Sequence, residues 1–430
     1  MSVVTPPARP KQLSQLEWNE RVYQGVLSAS LASLGFFLLF SIAGIYISMG
    51  MLLTLCLVAP ARIWRTRPWR EPLLALGLLL LGYIALRTVL GEGWNRGSLL
   101  VVHKYHELLF LPLLWALLRN ARWPQAFSNG LVAGALVLAV LYWVGFFLGL
   151  DLTNVLGVWL HTRRISAGFG LAICAFLFFE HARLGRLPRR AGYGAALFLV
   201  FSVAFAIDGR TGHVVVLVLL CCAAFRAAPR RAGIAAAAGA AIFALLVGAL
   251  SHSVRDRVLE SFHGVQTSLG HEAGPVSSTT ARFEVWQSAT VVARENWLLG
   301  VGWGHYAKAA DEASRRRHAD PRLVPGAQSD NPHSEYLMQL ASGGVPALLL
   351  FLLWIAWPVW TGVRKGGDGK HWTGALACVA LAFAIAAAFN SLLFDFVEAH
   401  FYVALMSWLL VSRVENERAR GAVGEFHPVT

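Results

Sequence analysis

Apolar runs of about 18 to 22 residues recur along almost the whole sequence, and nothing else in it limits the fold so strongly. Each run can cross a hydrocarbon core as a helix. In lipid the backbone must satisfy its own hydrogen bonds, so only helices or a closed barrel can span. The runs are continuous rather than alternating, which selects a helical bundle. Composition agrees: 56% of the 430 residues are hydrophobic and 14% are charged, well under the charged fraction usual for a soluble domain.

Twelve spans are predicted, at roughly 23–42, 44–61, 72–90, 99–118, 129–150, 165–182, 192–208, 211–226, 233–252, 337–362, 373–392 and 398–414. They divide the chain into a bundle over 1–252 (spans one to nine), a long loop over 253–336, spans ten to twelve over 337–414, and a tail over 415–430. Segment 23–61 is read as two helices with a tight turn near Gly44. Basic residues follow spans two (Arg62, Arg65, Arg67, Arg70), four (Arg119, Arg122), six (Arg183, Arg186, Arg189, Arg190), eight (Arg226, Arg230, Arg231) and ten (Arg364, Lys365, Lys370). Under the positive-inside rule these loops and both termini are cytoplasmic. Residues 1–20 are polar and lack a cleavable signal pattern, so the first span is expected to be an uncleaved anchor.

The net charge of +13 does not indicate nucleic acid, because most arginines lie in short clusters between apolar runs, as topology signals and anionic-lipid contacts do. Cys56, Cys174, Cys221, Cys222 and Cys378 all fall inside apolar runs without metal-ligand spacing, and read as small buried hydrophobes. More informative are cations on the other side. Arg87, Arg96, Lys104, Arg163, Arg164 and Arg210 sit in or beside short outer loops, where topology gives no reason for them. Positive charge there suggests an anionic ligand.

The outer loop 253–336 is too long for a connector. Its pattern predicts short amphipathic helices near 254–268, 281–297 and 304–318. Between the last two lies Gly300-Val301-Gly302-Trp303-Gly304, which no strand precedes and whose spacing fits neither phosphate fingerprint, so it reads as a close-packed turn. The loop ends in Ser329-Asp330-Asn331-Pro332-His333-Ser334-Glu335-Tyr336. His333 is thereby placed near a helix N-terminus at the membrane surface, where the helix dipole disfavours imidazolium and keeps the ring available as a base. Asp208-Gly209-Arg210-Thr211-Gly212 forms a tight outer hairpin, and Arg282 opens the helix carrying Phe283 and Trp286; a guanidinium can grip phosphate bidentately. The outer carboxylates, among them Asp395, are scattered singly and imply no metal site.

In topology over nearly the whole chain, and in motifs over about 205–350, the sequence resembles the O-antigen ligase and polymerase family of bacterial envelope enzymes. His333-Ser334 followed by nine residues and Gly344 fits that family's signature, although Ala347 stands where the family has Gly, Thr or Tyr. Arg210 matches the arginine after the preceding hairpin, and Arg282 the loop arginine before a tryptophan. The resemblance implies an all-α, GT-C-like polytopic protein of about twelve transmembrane helices with one large periplasmic helical loop, in the bacterial inner membrane. It implies a donor of polysaccharide on undecaprenyl pyrophosphate, a lipid A–core acceptor, and no cofactor or metal. Arg210 and Arg282 would hold the pyrophosphate and His333 would be the base. Second-tier substrate contacts are Arg163, Arg164, Arg87, Ser334, Tyr336 and Asp395.

Within the family a ligase fits better than a polymerase. Only one loop is large, and neither Arg210 nor Arg282 has a glycine eleven positions on; Cys221 and Ala293 stand there. The longer C-terminal portion usual in protein O-oligosaccharyltransferases is not seen. A transporter or flippase for a lipid-linked anion is the rival class. Against it, the charges concentrate at one face rather than at mid-membrane, and no inverted repeat is evident.

Overall fold

The structure, a computed structural model, describes residues 10–39, 41–92, 96–150, 164–207, 209–227, 233–235, 238–242, 278–317, 330–365 and 372–424. Among the described residues every regular element is helical. Helices α1 (Pro10–Phe37) and α2 (Ile42–Val58) are separate, as the two-helix reading expects. The turn falls just before Gly44 because Ser41 caps α2, its hydroxyl accepting from the Gly44 N–H at 3.1 Å. Ser33 then pairs with Ser48 at 2.8 Å, and Phe37 packs on Gly44, so the two helices run antiparallel. At Pro60 the chain bends by 88° into α3 (Pro60–Thr66) and a short turn, Pro68–Arg70.

The bundle continues with α4 (Pro72–Glu92), α5 (Arg96–His103), α6 (Glu107–Asn120), α7 (Gln125–Leu148), α8 (Arg164–Arg183), α9 (Arg189–Phe201) and α10 (Arg210–Ala227). After these come α11 (Ser278–Glu295), α12 (Tyr306–Arg317), α13 (Glu335–Lys365), α14 (Trp372–Ala387) and α15 (Phe396–Gly424). Among the described residues six helices are long and apolar enough to cross a membrane: Pro72–Gly91, Leu99–Asn120, Gln125–Leu148, Arg164–Arg183, Arg210–Ala227 and Glu335–Arg364. The bent pair Ile42–Val58 and Pro60–Arg70 makes up to seven. Apolar side chains such as Leu57, Leu79, Leu86, Leu90 and Val58 stand exposed on them, as a lipid-facing surface requires. The chain is a helical, multi-pass membrane protein.

Twelve spans were expected, and the differences have local causes. Span 192–208 gives a helix of 13 residues that widens into a π turn at Ser202–Ala206. Span 99–118 bends at the turn between α5 and α6 but is retained, as Leu99–Asn120. Span 373–392 stops at Ala387, giving 16 residues, because 388–395 leaves the helix to cross the bundle end. Most of the predicted span 233–252, the predicted helix at 254–268, Arg163 and Asp208 lie outside the described residues. The predicted loop helices at 281–297 and 304–318 correspond to α11 and α12.

Helices α8 and α10 meet where Gly168 faces Gly212; a Cβ on Gly212 would lie 2.8 Å from the Gly168 Cα. Small residues at this crossing let the two backbones touch, as is common between membrane helices. Farther along the same pair, the fully buried Glu180 accepts two hydrogen bonds from Arg226, both at 2.8 Å, and two from Arg183 at 2.7 and 3.1 Å. Removing the carboxylate takes four charge-assisted hydrogen bonds out of a buried cluster. Glu180→Ala is therefore expected to cost about 3–5 kcal/mol of stability, measured by unfolding in mixed micelles. A loss below about 1 kcal/mol would reduce the clamp to the worth of an exposed ion pair.

Candidate active site

The site forms where α8, α10, α11 and α13 end or begin beside the 388–395 turn. Its scaffold is the junction between the long loop and α13. Gly344 sits inside α13 with φ +69° and ψ −167°, breaking the helix, and Pro346 has no N–H to return to the Ser342 carbonyl. The Val345 N–H turns outward to the Trp297 carbonyl at 2.9 Å. Two α13 carbonyls are thereby freed, and the glycine turn takes both: Val301 N–H donates to Ala341 at 2.9 Å and Gly302 N–H to Ser342 at 2.8 Å. A Cβ on Gly344 would overlap the Leu298 carbonyl. This gives the His-x-Gly spacing a physical reason: the glycine admits the loop backbone to the helix that begins just after His333.

Several cations singled out in the sequence hold this junction together. Arg87 donates to the Leu299 and Gly300 carbonyls at 3.0 and 2.9 Å, which ties α4 to the turn. Tyr83 donates to the Gly343 carbonyl at 2.7 Å. Lys104 pairs with Asp330 at 3.1 Å and lies 3.5 Å above the Phe394 ring. Arg315 and Arg316 pair with Asp311 and Glu295, and Arg317 donates to Glu284, Gln287 and Ser288. Arg316 and Arg317 therefore fasten α12 to α11.

His333 and Arg282 behave differently, and Arg210 lies beside them. His333 has φ +50°, a left-handed backbone uncommon outside glycine, and its N–H donates to the Asn331 side chain at 2.8 Å. Burial is the main influence lowering the imidazole pKa from its ordinary value; Arg282 adds to it and Asp330 opposes it. The ring is thus neutral at neutral pH. The guanidinium of Arg282 finds a protein acceptor, the Phe389 carbonyl, only at 3.5 Å. Its pKa is lowered first by burial and then by Arg210. Each of the three therefore feels the next, and they converge on one locality. A guanidinium whose charge is disfavoured by burial and by a second guanidinium, beside a neutral imidazole, suits an anionic group.

The turn after α14 buttresses this locality. Asn390 donates to the Thr211 hydroxyl at 2.8 Å, directly beside Arg210, while Phe389 offers its carbonyl to Arg282. Glu335 anchors the turn from the other side: one oxygen accepts from the Leu393 N–H at 2.9 Å and the other from Gln339 at 2.7 Å. Phe389, Asn390, Thr211 and Glu335 were missed in the sequence as site elements; the polar pair Asn390-Ser391 inside an apolar run was the available signal. Of the second-tier residues, Arg164 opens α8 exposed, its carbonyl 2.8 Å from where a Gly209 Cβ would lie. Ser334 is buried and its carbonyl starts α13 by accepting from Met338. The Tyr336 hydroxyl donates to the Ala384 carbonyl at 2.8 Å. Asp395 starts α15 by accepting from the Ala399 N–H.

A segment running from α9 into α13 and enclosing Arg210, Arg282, His333 and Gly344 matches a known family, over residues 194–352. Residues 194–352 match the O-antigen ligase family. The matched segment takes in the glycine turn and the kink of α13 but leaves out the 388–395 turn, so the buttress lies beyond it. Among curated proteins no match to the chain is found.

Proposed function

We propose that the protein is an O-antigen ligase of the bacterial inner membrane. It moves O-antigen polysaccharide from undecaprenyl pyrophosphate to a sugar hydroxyl of lipid A–core by an inverting, metal-independent displacement. The observation carrying this reading is that the 388–395 turn reaches both Arg282, through the Phe389 carbonyl, and Thr211 beside Arg210, with a neutral His333 next to Arg282. Arg210, Arg282 and His333 all lie within the segment that matches the O-antigen ligase family. His333 accepts the acceptor hydroxyl's proton as that oxygen bonds to the anomeric carbon. The bond from that carbon to the pyrophosphate oxygen breaks, and undecaprenyl pyrophosphate leaves with the electron pair. Arg210 and Arg282 stabilise the charge that develops on it. One displacement inverts the anomeric centre. The positive-inside pattern supports a periplasmic site with both termini cytoplasmic.

The test is reconstitution of the purified full chain with lipid-linked glycan and lipid A–core. Inverted product formed without an energy source is the expected result. Glycan moved across the bilayer with no product would replace the transferase with a transporter. Elongation of the lipid-linked glycan in place of transfer to core would make it a polymerase.

A further inference from the structure

At the end of the bundle opposite His333 a second cationic site is built, with no part in the chemistry above. Helix α4 runs from Pro72 at this end to Arg87 at the loop junction. A cavity of about 410 Å³ opens beside the start of α4, lined by Arg65, Arg67, Arg70 and Arg119, with Glu71 and Trp115 in its wall. Glu71 has Arg413 of α15 at 3.7 Å, so the cavity stays strongly positive. Trp115 is only 3% exposed, yet its indole N–H has no hydrogen-bond partner among the described residues. A buried donor of this kind is ordinarily satisfied. Arg67, with φ +50°, joins α3 to the Pro68–Arg70 turn.

The setting names the source of the anion. The 88° bend after α2 lays α3 across the bundle axis, and Trp64 and Trp69 stand exposed there with ring centroids 5.4 Å apart. Exposed tryptophans at a helix end mark the headgroup level of a bilayer. Guanidiniums at that depth, gathered around a cavity rather than spread over a surface, are the chemistry that holds phosphate oxygens. We propose that this cavity binds the phosphate of an anionic phospholipid headgroup, with Trp115 as an additional donor. The proposal rests on the membrane reading of the fold and not on the transferase reading.

Purified full-length protein, delipidated in neutral detergent, is titrated with phosphatidylglycerol, phosphatidylcholine or inorganic phosphate. Binding is followed by native mass spectrometry and by the thermal midpoint. Phosphatidylglycerol alone is expected to bind and raise the midpoint. Replacing Arg67, Arg70 and Arg119 by Gln one at a time should weaken it roughly fivefold per arginine. The pair Arg189→Gln and Arg190→Gln, on an exposed stretch elsewhere, should leave it unchanged. Because loss of arginines can disturb insertion, the double variant Arg67→Lys and Arg70→Lys keeps the charge while removing the planar fork, and weaker binding is expected there too. Equal binding of phosphatidylcholine, equal binding of inorganic phosphate, or unaltered affinity in both the Gln and the Lys variants overturns the proposal.

Discussion

Replacing His333 by asparagine lowers glycosyl transfer by about 10²–10⁴-fold, the loss typical of a missing general base. Asparagine is the informative replacement, because it tolerates the left-handed backbone that His333 adopts and so separates chemistry from backbone strain. The thermal midpoint should stay close to that of the unaltered protein. A pH profile sharpens the assignment. Burial and Arg282 hold the imidazole below its ordinary value, so the neutral, proton-accepting form persists as pH falls below 6.5. The acid limb of the rate therefore lies on the acidic side of 6.5. Arg282→Gln removes one of the two influences, and the limb of its residual activity should move to higher pH. His333→Asn with activity equal to the parent would dismiss the base assignment; a limb that stays in place in Arg282→Gln would dismiss the coupling.

Arg282→Lys should lose activity even though the charge survives. Removing one donor aimed at developing charge typically costs about 10²–10³ in rate, and an ammonium cannot reproduce the two parallel N–H bonds of a guanidinium. The surroundings make the distinction clean. Arg282 reaches its Phe389 acceptor only at 3.5 Å, so the substitution gives up little within the protein. Arg316→Lys, on the exposed face of α12 and paired with Glu295, is the matched control and should transfer at the parental rate. Equal rates for Arg282→Lys and Arg316→Lys would assign Arg282 to surface electrostatics.

The sequence reveals why some features can be read ahead of structure and others cannot. Helical content followed from unbroken apolar runs, and the α1–α2 hairpin followed from keeping the basic loops in alternation. His333, Arg282 and Arg210 stood out because no rule of topology or packing demanded those residue types at those places. What a cation touches is another matter. Arg87 and Arg282 carry the same charge, yet Arg87 is bound to two carbonyls contributed from more than 200 positions away. Sequence shows the charge and not its partner. The 388–395 turn escaped notice for a different reason. Its residues are mostly apolar and continue the run of α14, so periodicity extends the helix through them, and only the tertiary bonds from Asn390 to Thr211 and from Leu393 to Glu335 explain the departure.

The fastening of the glycine turn to α13 has a mechanical meaning. Swinging the loop away would return the Ala341 and Ser342 carbonyls to an apolar surrounding with no donor, at several kcal/mol for each. Loop and helix therefore travel as one body, and the spacing between Arg282 and His333 is preserved from one turnover to the next. Such a unit works as a caliper rather than a lid.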